Sequence, residues 1–81
     1  MVPTLYQNRD YQIGPALRRL RRSKKLTQEQ VAAQLQIRDI GVTRDIYGKM
    51  ETGSHGIPIY VLVALKEIFH AEYADFFADL P

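Results

Sequence analysis

No cysteine occurs among the 81 residues of this chain. A chain of this length buries only roughly 60 to 65% of its unfolded surface, and many small domains compensate with disulfides or thiolate-bound zinc. Without cysteine, this chain can form neither a disulfide nor a thiolate-bound zinc site. The fold must therefore be stabilised by packing around one core, with a second subunit as a further source of stability, and the lack of cysteine favours the cytoplasm.

The composition is that of a globular domain, since 46% of the residues are hydrophobic and 25% are charged. The longest segment without charge, residues 52–65, contains Gly, Pro, Ser and His. It is shorter than the ~18 apolar residues that a membrane span requires. Asn8, Arg9 and Asp10 interrupt any apolar signal core near the start. We therefore expect neither a membrane partner nor secretion.

The net charge of +2 is distributed unevenly along the chain. Residues 1–25 carry a net +6, residues 26–56 a net −1 and residues 57–81 a net −3. Such asymmetry is typical of proteins that present one face to a polyanion, such as nucleic acid or an anionic membrane. A solvated basic helix explains the same charges equally well. Charge alone leaves both interpretations open.

Residues 1–12 have no sustained period and are predicted to form an N-terminal arm, with Tyr6 and Tyr11 as its anchors. Residues 13–81 are predicted to form one domain. Its first helix ends near Lys25, and its apolar residues recur at i, i+3, i+4 and i+7. These residues are Ile13, Ala16, Leu17 and Leu20.

Four further helices are predicted, and no strand of useful length competes with them. Thr27 and Thr43 are N-caps for the second and third helices, and Gly53 is a C-terminal stop for the third. Pro58 opens the fourth helix. The fifth is short and carries an apolar face at its helical spacing, formed by Tyr73, Phe76, Phe77 and Leu80.

The second and third helices carry a known signature. The segment LTQEQVAAQL at residues 26–35, followed by a Thr-capped helix ending KMETG at residues 49–53, resembles the helix-turn-helix of phage repressors and Cro-like regulators, the xenobiotic-response-element family. Thr-Gln-Glu, the central Ala, the hydroxyl cap and the terminal Glu-x-Gly are all present. The resemblance covers about residues 12–78 and implies an all-α fold, a five-helix lambda-repressor-like DNA-binding domain.

One departure from the family lies between the second and third helices. Leu35 and Thr43 enclose seven residues in place of about two, so the turn is lengthened. Because this segment is rather apolar, we expect a packed turn. Such an insertion can tilt the third helix and change which side chains meet DNA.

The resemblance assigns the third helix, residues 43–52, to the DNA major groove as the recognition helix. Base contacts are assigned to Arg44, Asp45, Gly48 and Lys49. Asp45 either accepts a hydrogen bond from cytosine N4 or pairs with Arg44 or Lys49. Gly48 indicates either a close approach of the backbone to a base or a tolerated loss of helix propensity.

Phosphate contacts are expected mainly at helix N-termini, where free backbone N–H groups and the helix dipole attract anions. Capping alone is the alternative role for Thr27 and Gln28. The resemblance also implies a structural ion pair of Arg21 with Glu51, between the first helix and the end of the recognition helix. The expected phosphate-contacting residues are Thr27, Gln28, Arg38, Thr43, Ser54 and His55.

An enzyme is not expected, because thiol catalysis is excluded and the two histidines, His55 and His70, have no carboxylates at zinc-binding spacing. His70 is expected at a helix end. No cofactor and no metal are expected.

The predicted function is that of a sequence-specific transcription regulator, a repressor, bound as a symmetric homodimer to an operator with two-fold symmetry. Phe76, Phe77, Leu80 and the arm are the candidate subunit contacts. The alternative is a helix-turn-helix that binds a protein partner, as in an antitoxin or adaptor. The small net charge, Asp45 and the lengthened turn support that alternative.

Overall fold

The computed structural model describes residues 2–81 and consists of five helices with one small sheet. The helices are α1 (Gly14–Ser23), α2 (Gln28–Ile37), α3 (Arg44–Thr52), α4 (Ile59–Phe69) and α5 (Tyr73–Phe77). The strands β1 (Thr4–Leu5) and β2 (Ile57–Pro58) pair antiparallel, with Thr4 opposite Pro58 and Leu5 opposite Ile57. The prediction of a five-helix fold is confirmed. None of these helices is long and apolar enough to cross a bilayer.

The segment predicted as an arm packs back onto the helices, and Gln7 anchors it. Gln7 Oε1 accepts hydrogen bonds from the backbone N–H groups of Ile13 and Gly14, both at 2.9 Å. The predicted anchors Tyr6 and Tyr11 are wrong, because their side chains are 82% and 57% exposed. Met1, the first residue of the predicted arm, lies outside the described residues.

The predicted caps at Thr27, Thr43, Gly53 and His70 are confirmed, whereas α5 ends at Phe77 and does not include Leu80. Thr27 Oγ1 accepts from the N–H of Gln30 at 3.0 Å, and Thr27 N–H donates to Gln30 Oε1 at 2.8 Å, which is a complete capping box. Thr43 Oγ1 accepts from the N–H of Ile46 at 3.2 Å. Gly53, with φ +86°, ends α3 in the left-handed conformation, and His70, with φ +51°, ends α4 in the same way.

Helix α2 continues two residues past Leu35, so part of the lengthened turn is helical. The remaining connection, residues 38–43, packs against the core through buried Val42 and half-buried Ile40. Ile40 N–H donates to the carbonyl oxygen of Leu35 at 3.0 Å. The prediction of a packed turn is therefore confirmed, although Ile37 is 73% exposed.

All five helices contribute to one core. Phe76 of α5 is 1% exposed and its ring centroid lies 6.4 Å from that of Phe69 of α4. The prediction of Phe76 as a subunit contact is wrong, because this side chain is used to hold α5 on the rest of the domain. The fully buried residues, one or more from each helix, include Leu17, Val31, Leu35, Tyr47, Met50 and Leu65.

Candidate nucleic-acid interface

Helix α3 has an inner face in the core and an outer face in solvent. Tyr47 and Met50 are at most 1% exposed. The side chains of Arg44 and Asp45 are 62% and 87% exposed, Lys49 is exposed and Gly48 is half-buried. The connection 38–43 leaves this outer face open. The four residues assigned to base contacts therefore lie on one accessible face of the recognition helix.

Arg44 and Asp45 form a loose ion pair on that face, with Arg44 Nη1 3.9 Å from Asp45 Oδ1. A surface pair of this kind contributes at most about 1 kcal/mol. Arg44 is consequently free to leave Asp45 and reach a base.

A buried carboxylate joins α3 to α1. Glu51, which is 2% exposed, receives hydrogen bonds from Arg21 Nε to Oε2 at 2.6 Å and from Arg21 Nη2 to Oε1 at 3.1 Å. Arg21 Nη1 also donates to the carbonyl oxygen of Leu26 at 2.9 Å. Gly14 allows this approach, because a Cβ there would collide with the carbonyl oxygen of Glu51. The pair therefore fixes the last turn of α3 against α1.

The electrostatics keep this pair charged. Burial raises the pKa of Glu51, but its polar surroundings, the hydrogen bond from Arg21 above all, outweigh burial, so the net pKa is lowered. The hydrogen bond to Glu51 raises the pKa of Arg21. Burial raises the pKa of Tyr47, whose hydroxyl has no hydrogen-bond partner within residues 2–81. Tyr47 is therefore neutral beside a charged pair.

Gln28, in the first turn of α2, connects the buried pair with the recognition helix. Its Nε2 donates to Glu51 Oε1 at 3.1 Å. Its Oε1 lies 3.4 Å from the point that a Cβ on Gly48 would occupy. Gln28 thus lies between the α1–α3 ion pair and the outer face of α3.

Thr27 and Thr43 lie at the N-termini of the two helices of the motif and are exposed. Each hydroxyl accepts a hydrogen bond from its own helix. Its own O–H remains able to donate to a phosphate oxygen.

Three residues predicted to contact phosphates lie away from the N-termini of α2 and α3. Arg38 Nη1 donates to the carbonyl oxygen of Gln34 at 3.0 Å, and its Nε lies 3.9 Å from Oε2 of Glu67 on α4. Ser54 and His55 follow the C-terminus of α3, about 13 Å of helix from Thr43. Arg38 therefore lies at the far end of α2 from Thr27, and Ser54 and His55 lie at the far end of α3 from Thr43.

Gln7 is a supporting residue that the sequence pattern did not indicate. Its Nε2 donates to the carbonyl oxygens of Met50 at 2.9 Å and His55 at 3.0 Å, so it is a second residue that holds the end of α3. A single polar residue in an aperiodic segment carries no signal for such a contact. Within residues 2–81, no group of three His, Cys, Asp or Glu side chains is arranged to hold a metal ion.

Comparisons with known proteins agree with this geometry. A family model described as a helix-turn-helix domain matches residues 12–75. The fold is similar to the restriction-modification controller protein C.AhdI from Aeromonas hydrophila, with a TM-score of 0.69 and 28% identity over 80% of this chain and 87% of that one.

It is also similar to an HTH_3 family transcriptional regulator from Vibrio cholerae, with a TM-score of 0.67 and 27% identity over 83% of this chain. This chain spans only 35% of that regulator. Among curated protein sequences, none matches. The family match covers most of the chain, and the chain belongs to the helix-turn-helix domain family, with the fold of repressor and Cro-type DNA-binding regulators.

Proposed function

We propose that this protein binds duplex DNA sequence-specifically and represses transcription, with α3 inserted in the major groove. The observation that carries the proposal is the open outer face of α3, held at a fixed angle by the Arg21–Glu51 pair. A B-DNA major groove about 12 Å wide admits one helix. The two neighbours named as regulators support a role in gene control, for which the cytoplasm is the expected compartment.

Base recognition is assigned to the outer face. Arg44 is suited to paired hydrogen bonds with guanine O6 and N7, and Lys49 to a single charged contact, each worth about 1 to 3 kcal/mol of discrimination. Asp45 is suited to accept from cytosine N4 once Arg44 has left it. Gly48 allows the helix backbone to approach a base closely.

Phosphate contacts are assigned first to Thr27, Gln28 and Thr43, which surround the N-termini of α2 and α3. These contacts orient the protein on the duplex and carry no sequence information. Ser54, His55 and Arg38 are assigned to flanking phosphates.

A symmetric dimer is part of the proposal, because a single module of this size buries little DNA surface and a two-fold operator presents two half-sites. The exposed side chains of α4 provide an apolar surface, which we call the α4 surface and define as Ile59, Tyr60 and Val63. They are 39%, 51% and 39% exposed.

The α4 surface is suited to a second copy of this chain. It lies in the segment 52–65, which carries no charge, so two identical copies meet there without repulsion. Tyr73 of α5 is also exposed, and Lys66 of α4 lies 5.3 Å from its ring centroid. Phe77 and Leu80, the earlier candidates, border a separate groove of about 150 Å³ beside Tyr6 and Tyr11.

The experiment is a salt titration of DNA binding, with duplexes selected from genomic DNA by the purified protein. The affinity should fall steeply as salt rises, because phosphate contacts release counterions. Replacing Arg44 and Lys49 together with Gln should reduce specific affinity by roughly 10- to 1000-fold, which corresponds to losing one or two base contacts.

The matched control removes two positive charges elsewhere, Arg9→Gln with Lys24→Gln. This control should keep its preference for the selected sequence. Binding that is absent or indifferent to salt, or an equal loss of preference in both variants, would contradict the proposal and support a protein-binding module.

A further inference from the structure

A concave surface of about 380 Å³ lies on α1, next to the last turn of α3. We call it the α1 groove, and its lining residues are Pro15, Arg18, Arg19, Arg22 and Glu51. Its volume falls in the range of small-ligand sites, about 300 to 1,000 Å³. The base contacts assigned to α3 do not use it.

The α1 groove is positively charged. The side chains of Arg18 and Arg19 are 44% and 47% exposed, and Arg22 is exposed. Arg19 is occupied by the Asp79 carboxylate and by the carbonyl oxygen of Asp75. Within residues 2–81, Arg22 has no ion pair. The one carboxylate in the lining, Glu51, is buried and held by Arg21 and Gln28, and it also lies 3.5 Å from Arg18 Nε.

Arg18 and Arg22 are four residues apart on α1 and share a helix face. Like charges at this spacing destabilise a helix, and within the described residues only Arg18 of the two has a carboxylate nearby. An anion between them removes this repulsion. Guanidinium groups match phosphate oxygens with two parallel hydrogen bonds, and Pro15 adds an apolar ring to the lining. We propose that the α1 groove is a binding site for a phosphate group, held by Arg18 and Arg22.

The site is linked to the recognition helix through one oxygen atom. Glu51 Oε1 accepts from Arg21 at 3.1 Å and Gln28 at 3.1 Å, and Arg18 Nε lies 3.5 Å from it. A phosphate that draws Arg18 away changes the surroundings of Glu51 and Gln28. Gln28 lies beside Gly48 of α3. Occupancy of the α1 groove and the position of α3 are therefore coupled.

The phosphate group bound in the α1 groove belongs either to the backbone of bound DNA or to a free phosphorylated small molecule. The first source rests on the proposed DNA binding, and the second does not. Both require the same two guanidinium groups.

The test is an NMR titration of the full chain with inorganic phosphate, following the Nε–Hε signals of the arginines. We expect saturable shifts at Arg18 and Arg22, with at least tenfold weaker binding in the variant Arg18→Gln with Arg22→Gln. The control, Arg9→Gln with Lys24→Gln, removes equal charge outside the groove and should bind phosphate within twofold of the wild type. All four side chains are exposed, so both variants should keep the wild-type unfolding midpoint.

Shifts that grow linearly without saturation, or an equal loss in both variants, would overturn the proposal. A second titration adds a selected DNA duplex to the phosphate-loaded protein. Displacement of phosphate by the duplex identifies the DNA backbone as the source. Simultaneous binding of phosphate and duplex identifies a free phosphorylated ligand as the source. Bound ligand must then change the affinity for the duplex by the same factor as bound duplex changes the affinity for the ligand. A duplex that does not bind contradicts the proposed function alone, because the phosphate titration still decides on the groove.

Discussion

Glu51 is one side chain that connects three helices, because its partners Arg21 and Gln28 lie on α1 and α2. Its carboxylate is inaccessible to solvent, which makes it costly unless it is fully paired. Arg21 and Gln28 supply the pairing, and Gln28 reaches the outer face of α3 from the same point. The orientation of α3 thus depends on a charge that is buried inside the domain.

The contribution of the Glu51 carboxylate to stability should depend on pH. Because the pKa of Glu51 is lowered in the folded protein, its contribution is present above the unfolded value, about 4.3, and is lost as pH falls through the folded pKa. Glu51→Gln should reduce stability at neutral pH by about 3 to 5 kcal/mol and weaken the loss of stability below about pH 4. Urea unfolding at pH 3 to 7 measures both effects. Glu29→Gln, at an exposed site, is the control and should change neither.

Gly48 provides a second prediction at the residue scale. A Cβ there makes only ordinary contact with Gln28 Oε1, at 3.4 Å, so Gly48→Ala should raise stability by up to about 1 kcal/mol through helix propensity. DNA affinity should nevertheless fall, because the added methyl group separates the helix backbone from the base. Thermal unfolding and fluorescence anisotropy measure the two effects. Gly41→Ala, in open space, should leave DNA affinity unchanged; unchanged affinity in Gly48→Ala would mean that the backbone does not approach a base.

At the scale of the elements, local signals located the helices well. The caps Thr27, Thr43 and Gly53 are short-range features, so the sequence was sufficient to place them. The two-residue strands have no period to detect. Gln7 contacts residues 43 and 48 positions away, which no local pattern encodes. The extension of α2 past Leu35 also went unpredicted, since the apolar content of the segment indicated a turn.

The candidate nucleic-acid interface, like the helices, was predictable where it depends on local sequence. The outer and inner faces of α3 follow from helical spacing, so Arg44 and Lys49 were assigned correctly to the exposed side. The α1 groove depends on how α1 meets the end of α3, which is tertiary packing. Arg38 was expected near DNA because of its charge alone, but its partners Gln34 and Glu67 are known only from the fold.

The connection before the recognition helix contains a strained residue. Asp39 has φ +60°, at the position after α2 where glycine is usual. Asp39→Gly should raise the free energy of unfolding by up to about 1 kcal/mol, since glycine adopts this conformation without steric cost. Asp39→Ala removes the same charge but keeps the Cβ, so it should give no gain. Equal gains in both variants, measured by urea unfolding, would assign the effect to charge and not to backbone conformation.

At the scale of the whole molecule, the basic cluster, the outer face of α3 and the α4 surface occupy different helices. The basic residues concentrate on α1 and its following turn, the recognition residues on α3, and the exposed apolar side chains of the α4 surface on α4. This separation allows one copy to contact DNA and another copy at once. Because the surfaces lie on different helices, substitutions can alter one of them without changing the others.

The dimer prediction follows from this separation. Val63→Glu places a charge in the centre of the α4 surface and should shift the protein to a monomer by sedimentation. Affinity for a two-site duplex should fall by at least tenfold, because the second copy no longer adds to binding. Phe77→Glu, at a similarly exposed apolar position (37%), is the control and should remain dimeric. Dissociation by Phe77→Glu alone would place the contact beside the N-terminal segment instead.

Methylation protection measures whether α3 contacts base edges in the major groove, as we propose. Dimethyl sulfate methylates guanine N7, which lies in the major groove. We predict protection of guanine N7 at two positions about 10 base pairs apart in the selected duplex, lost when Arg44 and Lys49 are both replaced by Gln. Unprotected guanines, or protection that survives the double replacement, would contradict the account.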